Sequence, residues 1–390
     1  MERIKLFVTS LSKYYLLLLT YLVFITLVVY TSKNVLSEKV GQFPLKDIAF
    51  GVWGYGWDGW LYLSIAEKGY AFPNQAFFPV YPLVIHFLHS FLPLTLAYRV
   101  NVIFLAILVV VLVKFFLKWL EIDGSKYLSV IIAFLAFPTA FFLQANYTEC
   151  LFILAAVLFF LALFKKNFIL ASLIAGLASG IRLNGITLGV VLILSYTLNN
   201  RTSLKGLRPL LIFLAKIIPL GLISISGLLA YFIYLQYKFG SFLIFFKAQE
   251  AWFRNPLHIT NIFVLLYNAV VKLFPNLYLI FSKPPYDVLA MKLGFIGIFE
   301  NLFLLFGLFL LIYCFKKVRF ELYLFSLLNF LLPLSSGLTA SFPRYILLMF
   351  PLLLFFLGRI REETRLAFVF FSAIIQVLFI TLFINNTFVS

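Results

Sequence analysis

Four charged residues stand beside apolar runs, where their side chains could take part in chemistry. They are Asp58 in GYGWDGWLYLSIAEKGY, Glu149 in NYTE, Arg182 in GIRLNG and Arg344 in SFPRY. A carboxylate can accept a proton from a hydroxyl, and a guanidinium can bind a phosphate through two hydrogen bonds. Because an unpaired charge is costly at membrane depth, an Arg–Glu pair inside the protein is the alternative interpretation.

Asp58 precedes a stretch in which apolar and polar residues recur with helical spacing. This pattern predicts a short amphipathic helix that starts near Asp58. Its carboxylate could cap that helix by accepting hydrogen bonds from free backbone N–H groups, and a cap also fixes a carboxylate in space. Trp57 and Trp60 flank Asp58 and suit a membrane interface.

The composition shows which environment surrounds these residues. Of 390 residues, 64% are hydrophobic and only 12% are charged, and the mean hydropathy is +1.07. A water-soluble fold cannot cover that much apolar surface, which excludes a soluble enzyme, a nucleic-acid binder and a disordered chain. The net charge of +17 is scattered between apolar runs, as expected for charge that sets membrane topology and meets anionic lipid.

The chain is predicted to be an all-α, polytopic membrane protein with about eleven transmembrane helices in a single domain, residues 1–390. The predicted spans are roughly Tyr14–Tyr30, Val100–Trp119, Tyr127–Gln144, Glu149–Phe164, Phe168–Ile181, Gly185–Leu198, Pro209–Tyr237, Val288–Phe315, Glu321–Leu334, Pro343–Leu357 and Leu366–Ile384. Two other apolar runs, Phe77–Leu94 and Ile262–Ile280, carry prolines and polar residues and are ambiguous.

The positive-inside rule decides between the topologies. If neither ambiguous run crosses and the N-terminus is inside, five basic clusters fall on the inner side. They are Lys114/Lys118/Lys126, Lys165/Lys166, Arg201/Lys205/Arg208, Lys316/Lys317/Arg319 and Arg359/Arg361/Arg365. Both runs are therefore predicted to be interfacial or re-entrant, with the C-terminus outside and outer loops at about residues 32–98 and 238–287.

This topology gathers the unusual polar segments at one membrane face. They are Gly51–Tyr70, Asn146–Glu149, Arg182–Asn184, Lys247–Asn255 and Ser341–Tyr345. Polar groups that converge between short helices at a membrane face predict a site there.

The sequence gives no pattern typical of a metal centre. Cys150 and Cys314 both lie in apolar runs, and neither a metal pattern nor a disulfide is predicted. His86 and His89 could share a helix face, but the sequence shows no third metal-ligating residue beside them. No cofactor is predicted, and a divalent metal is not excluded.

Several motifs together resemble the PIG-V family, GPI mannosyltransferase 2 and its prokaryotic relatives. The resemblance lies in WDGWLYLSIAEKGY followed by QAFFPVYPL, in YTE, in GIRLNG, in PRY and in KAQEAW, which appear in the family's order over most of the chain. Eukaryotic members usually carry His three residues after the Asp, where this chain has Leu61. The resemblance therefore points to a bacterial or archaeal relative in a prokaryotic cell membrane.

The resemblance implies a GT-C type glycosyltransferase. Its first outer loop would carry interfacial helices and the catalytic Asp58. A sugar, mannose by family default, would pass with inversion from a polyprenyl- or dolichyl-phosphate sugar to a hydroxyl of a lipid-linked glycan or glycolipid acceptor. Arg182 and Arg344 would bind the donor phosphate.

The remaining candidates are expected to support the site or bind sugar. They are Glu149, Trp57, Trp60, Glu67, Tyr70, Asn184, Gln249, Trp252 and Tyr345. The competing class is a polytopic lipid or glycolipid transporter or flippase, although no internal repeat of the kind that transporters often show is evident. A non-catalytic scaffold would leave the buried arginines unexplained.

Overall fold

The computed structural model of the chain describes residues 2–34, 56–200, 207–252, 262–273, 275–276, 278, 288–335 and 341–385. Every regular element in these ranges is helical, so the predicted all-α class is confirmed. The predictions that fall on residues 35–55, 253–255 and 279–280, and on Arg201 and Lys205, lie outside the described residues.

Eighteen helices are numbered here in chain order. The first nine are α1 (Glu2–Asn34), α2 (Asp58–Lys68), α3 (Val80–His89), α4 (Leu94–Ala97), α5 (Val100–Trp119, with a π-helical turn at Leu112–Phe116), α6 (Tyr127–Leu135), α7 (Glu149–Phe164), α8 (Phe168–Ser179) and α9 (Ile186–Asn200). The others are α10 (Leu207–Ser224), α11 (Ser226–Phe239), α12 (Ile244–Ala251), α13 (Ile262–Val271), α14 (Val288–Cys314), α15 (Phe320–Leu334), α16 (Phe342–Leu348), α17 (Phe350–Arg359) and α18 (Glu362–Ile384).

In the part of the chain that the structure describes, six helices are long and apolar enough to cross a membrane, or up to eight if each of two bent helix pairs is one span. The chain is thus a polytopic membrane protein, but the predicted number of eleven spans is not reached among the described residues. Five further apolar helices in the described ranges have only 10–17 residues. Even the 16 residues of α7 extend about 24 Å, which is shorter than a hydrocarbon core of about 30 Å.

Three predicted spans are interrupted in the structure. The α-helix in the run Tyr127–Gln144 ends at Leu135. The run Pro209–Tyr237 is divided at Ile225 into α10 and α11. The run Pro343–Leu357 is divided into α16 and α17, which are bent by 76° at Met349. Hydropathy alone does not show such breaks, because the apolar character continues through them.

α7 forms the centre of the fold. Thirteen of its 16 residues are buried, so it has no polar face. Phe160 packs against Phe116 of α5 and Phe325 of α15, and Phe152 stacks on the same Phe325. Glu149, the first residue of this helix, is therefore held at the middle of the helical bundle.

A largely irregular segment, residues 136–148, leads into α7 and is mostly buried. Buried side chains from other helices satisfy part of its backbone. Gln376 in α18 donates to the carbonyl oxygen of Phe137 at 2.9 Å, and Asn101 in α5 donates to that of Tyr147 at 2.9 Å. Irregular backbone is tolerated inside membrane proteins only where protein or a water-filled cavity surrounds it.

Candidate functional site

Asp58, Arg344, Glu149 and Arg182 form a continuous chain of ion pairs, which we call the charge cluster. Nη1 of Arg344 lies 3.1 Å from Oδ2 of Asp58, and its Nε lies 3.0 Å from Oε1 of Glu149. The same Oε1 accepts a hydrogen bond from Nη1 of Arg182 at 2.9 Å. The fold thus brings all four predicted charged residues together, and the Arg–Glu pair that the sequence left open is present.

The cluster is buried except at one end. The side chain of Asp58 is 22% exposed, whereas those of Arg182, Arg344 and Glu149 are 10%, 7% and 1% exposed. Two carboxylates and two guanidiniums balance one another, which offsets part of the large cost of removing charges from water. Asp58 is therefore the member that a ligand reaches first.

Asp58 is the first residue of α2, and Trp57 occupies the capping position. No side chain caps this helix, so the predicted capping role of Asp58 is wrong: its carboxylate is turned to Arg344 instead. Trp57 has a φ of 56°, and the preceding carbonyl of Gly56 accepts hydrogen bonds from Gly59 N–H and Tyr147 O–H, each at 3.1 Å. These bonds fix the entry to α2 against α7.

Glu149 is fixed by the end of the irregular segment and the start of α7. Its Oε1 serves both arginines, while its Oε2 is buried and has no hydrogen-bond partner among the described residues. The short contact with Arg344 Nε is an ion pair without the alignment of a hydrogen bond. The cluster thus retains a carboxylate oxygen and an N–H group that its own members do not satisfy.

The turn between α8 and α9 places Arg182. In the same turn, the side-chain amide of Asn184 donates a hydrogen bond to Oδ1 of Asn329 in α15 at 2.9 Å. Gly185 packs so closely against the end of α8 that an added Cβ would overlap the backbone of Ala178. The close approach and the amide pair together hold Arg182, whose backbone is extended, toward α7.

Arg344 lies in the first turn of α16, after Ser341 with a φ of 72°. Its guanidinium carbon lies 5.4 Å and 5.2 Å from the ring centres of Phe142 and Tyr147. Cation–π contacts of this kind stabilise a guanidinium away from water. The cation is consequently held by rings as well as by carboxylates.

Tyr345 and Asn184 also lie at the cluster. Tyr345 presents its ring 5.9 Å from the Arg182 guanidinium carbon, and Phe152 lies at 5.8 Å on another side. Asn184 contacts Asn329 rather than a cluster charge. Both predicted residues therefore shape the surroundings of Arg182.

Gln249 and Trp252 contact the segment between α2 and α3 rather than the charge cluster. Nε2 of Gln249 donates to the carbonyl oxygen of Ala76 at 3.1 Å, and Nε1 of Trp252 donates to that of Pro73 at 3.2 Å. The indole also meets Phe77 edge to face. Their observed contacts join α12 to the segment between α2 and α3.

The other predicted sugar-binding residues form a second group along α2. Glu67 accepts a hydrogen bond from Tyr98, and Tyr70 donates to the carbonyl oxygen of Phe77 at 2.9 Å. Trp57 and Trp60 are 40% and 57% exposed. Exposed indoles on a helix too short to span are typical of a membrane interface.

Four residues that were not predicted as site residues support the site. Asn101 and Tyr147 hold the backbone around Glu149, and Thr139 donates to the carbonyl of Pro343, beside Arg344, at 3.0 Å. Burial, and secondarily the charge of Asp58, raise the pKa of Tyr62 above its ordinary value, so its hydroxyl stays protonated. Polar residues inside apolar runs were the signal that could have identified Asn101 and Thr139.

The described residues contain no group of three His, Cys, Asp or Glu side chains able to hold a metal ion. Nδ1 of His86 contacts the carbonyl oxygen of Ala66 at 2.8 Å, and Nδ1 of His89 contacts that of Leu92 at 3.2 Å. Each histidine thus has its own local backbone partner.

Comparison with protein-family models, curated proteins and solved structures finds no match for this chain.

Proposed function

We propose that this chain is a membrane glycosyltransferase. It moves a sugar, mannose by the default of the PIG-V family it resembles, from a polyprenyl- or dolichyl-phosphate sugar to a hydroxyl of a lipid-linked glycan or glycolipid. The observation that carries the proposal is the charge cluster, in which the partly exposed carboxylate of Asp58 contacts the buried Arg344 and Glu149 joins Arg344 to Arg182. A proton acceptor and fixed cations are what this transfer requires.

The proposed reaction is a single displacement at the anomeric carbon. The acceptor oxygen forms a bond to that carbon as the bond to the phosphate oxygen breaks, and the bonding electrons leave with the phosphate. Asp58 accepts the hydroxyl proton. Its negative charge also favours a transition state with oxocarbenium character. Attack opposite the leaving group inverts the anomeric centre.

The arginines would stabilise the leaving phosphate. A guanidinium has five N–H donors, and Arg182 uses one of them on Glu149. If Arg182 binds a phosphate through its remaining N–H groups, its hydrogen bond to Glu149 stays intact. Arg344 would serve both the phosphate and Asp58, since its guanidinium lies between Asp58 and Glu149.

The transfer reaction is tested with purified protein in lipid nanodiscs, radiolabelled polyprenyl-phosphate sugars and a native lipid extract. We expect label to move from the donor to a product that remains extractable with lipid. The D58N protein should give no such product. Movement of labelled lipid between leaflets of proteoliposomes without formation of a new glycosidic bond would instead establish the transporter alternative.

We further propose that the charge cluster faces the outside of a prokaryotic cell membrane, with the N-terminus inside and the C-terminus outside. Lys68 and Lys166 are exposed and lie at opposite predicted faces, while Cys150 and Cys314 are buried and free. Lys68→Cys should react with an impermeant maleimide in intact cells, whereas Lys166→Cys should react only after permeabilisation. The reverse pattern would place the cluster inside.

A further inference from the structure

A cavity of about 440 Å³ lies between α2 and α3 on one side and α11 on the other. Its walls include Ile65, Pro82, Ala230 and the ring of Tyr231. Cavities that bind small molecules have this size and are lined mainly by apolar and aromatic side chains. The cavity is outside the charge cluster and is not used by the proposed chemistry.

Two of the three tyrosines in the cavity wall use their hydroxyl groups on backbone carbonyls, whereas the third, Tyr234, is 39% exposed. Tyr70 donates its hydroxyl to the carbonyl oxygen of Phe77 at 2.9 Å, and Tyr231 donates to that of Gln75 at 2.8 Å. A free sugar would find few hydrogen-bond partners in this wall. A hydrocarbon chain would lose no hydrogen bonds on entering it, and its burial is favourable.

The cavity lining includes a carboxylic acid and an imidazole. Glu67 and His86 are both exposed, and no lysine or arginine lines the cavity among the described residues. A lipid phosphate beside Glu67 would be repelled by the carboxylate. Hydroxyl groups, in contrast, can donate hydrogen bonds to a carboxylate.

The cavity shares walls with the elements of the charge cluster. The N–H of Val80, a lining residue, donates to the carbonyl of Gly180 at 3.0 Å, two residues before Arg182. Ile65 lies seven residues after Asp58 on α2, or about 11 Å along the helix. A lipid whose chain occupies the cavity could therefore place its headgroup near Asp58.

The membrane side of α3 offers a route into the cavity. Leu83 lines the cavity and is 59% exposed, and Phe87, one turn further along α3, is 64% exposed. Exposed apolar side chains on a 10-residue helix suit contact with the bilayer surface. A lipid chain could enter there without crossing a polar barrier.

We propose that this cavity binds a hydrocarbon chain of the acceptor, and that the acceptor is a glycolipid with an uncharged, hydroxyl-bearing headgroup. This inference rests on the proposed function for the role of the lipid as acceptor. The proposed ligand is the acceptor rather than the phosphate-bearing donor because the described lining has the carboxylate of Glu67 and no lysine or arginine.

The inference is tested by photolabelling, which requires no turnover. Three probes carry a diazirine in the hydrocarbon chain: a glucosyl diacylglycerol, a phosphatidylglycerol with the same chains, and a polyprenyl phosphate. Ala230→Phe narrows the cavity from α11, where Ala230 lines the cavity and is exposed. Leu229→Phe is the control, because Leu229 is also exposed on α11 but does not line the cavity.

We expect the glucosyl probe to label peptides of α2, α3 and α11 more strongly than the two anionic probes. Ala230→Phe should reduce that labelling about tenfold, and Leu229→Phe should leave it unchanged. Stronger labelling by polyprenyl phosphate would assign the cavity to the donor and overturn the proposal. Equal labelling by all probes, or no effect of Ala230→Phe, would also overturn it.

The two proposals fail in different ways. If the protein transfers no sugar but the glucosyl probe still labels the cavity selectively, the cavity is a glycolipid site and only the proposed function is wrong. If transfer occurs and is as fast in Ala230→Phe as in Leu229→Phe, the cavity does not hold the acceptor chain.

Discussion

The charge cluster and the basic turns at other helix ends differ in the sign and in the burial of their charged side chains. The basic turns, Lys165–Lys166 and Lys316–Arg319, carry mainly one sign and are exposed at their lysines. Arg319 lies 3.9 Å over the ring of Phe164 and also contacts Glu321 at 3.7 Å. The charge cluster instead joins two charges of each sign through contacts of 2.9, 3.0 and 3.1 Å, and three of the four side chains are at most 10% exposed.

This difference in burial determines how much stability the protein loses when a charged residue loses its partner. Water solvates an exposed lysine, and a surface ion pair contributes only about 0–1 kcal/mol. A buried ion that loses its partner costs about 3–5 kcal/mol. We therefore expect the basic turns to tolerate substitution and the charge cluster to respond strongly, as the following changes would show.

Asp58→Asn should produce the largest effect. The amide can still accept a hydrogen bond from Arg344, so folding should be retained while transfer falls about 10²–10⁴-fold, the usual contribution of a general base. Transfer rate and melting temperature measure the two effects. Asp123→Asn is the control, since Asp123 is exposed and bonds only the local Ser125 N–H. Transfer by Asp58→Asn within about threefold of wild type would leave Asp58 with a structural role.

Removing Glu149 or Arg182 should cost the most stability. Each single Ala variant leaves a buried charge and should lose about 3–5 kcal/mol. The double variant should lose less than the sum, because the two residues contact each other. Lys165→Ala, at an exposed position, should change stability by less than about 0.5 kcal/mol. Melting measurements on all four proteins decide whether the pair is coupled.

The same variants separate phosphate binding from structural pairing. Arg182→Lys keeps the charge but loses the planar fork, so it should retain some transfer, whereas Arg182→Ala should retain very little. If transfer and stability both recover when Glu149→Ala is added to Arg182→Ala, then Arg182 does not bind the donor phosphate.

Thr139→Val should have an intermediate effect. It removes the hydroxyl that bonds the carbonyl of Pro343, and a hydrogen bond of this kind contributes about 0.5–1.5 kcal/mol. Because Arg344 follows Pro343, transfer should fall as well. Thr197→Val is the matched control, since its hydroxyl bonds only the Ile193 carbonyl in its own helix. Equal losses in both variants would mean that the link to Pro343 contributes nothing specific.

Lys166→Gly should have the smallest effect. Lys166 has a φ of 59°, a left-handed conformation that glycine adopts at little cost. We expect stability to stay the same or to rise by less than about 1 kcal/mol. The adjacent Lys165 has a φ of −82°, so Lys165→Gly should be less stable than Lys166→Gly. A clear loss in Lys166→Gly would indicate that its side chain has a specific partner.

The local sequence predicts the bounds of a helix well where the whole helix is apolar. Glu149–Phe164 is a helix with the predicted bounds. The run Pro209–Tyr237 is different, because the break at Ile225 coincides with a close approach between helices. There, an added Cβ on Gly227 would overlap Gly176 and Gly180 of the segment that leads to Arg182. Such contacts belong to packing, and no hydropathy pattern contains them.

The amino-acid sequence by itself determined the helical membrane class, because its apolar content cannot be covered in water. It also determined which charged residues interrupt apolar runs. Only the tertiary structure decided how those charges pair, since ion pairs act over a few ångströms and join residues as far apart as Asp58 and Arg344. The role of the α2 carboxylate was likewise decided by packing: a local cap was open to Asp58, but α16 placed a buried guanidinium within its reach.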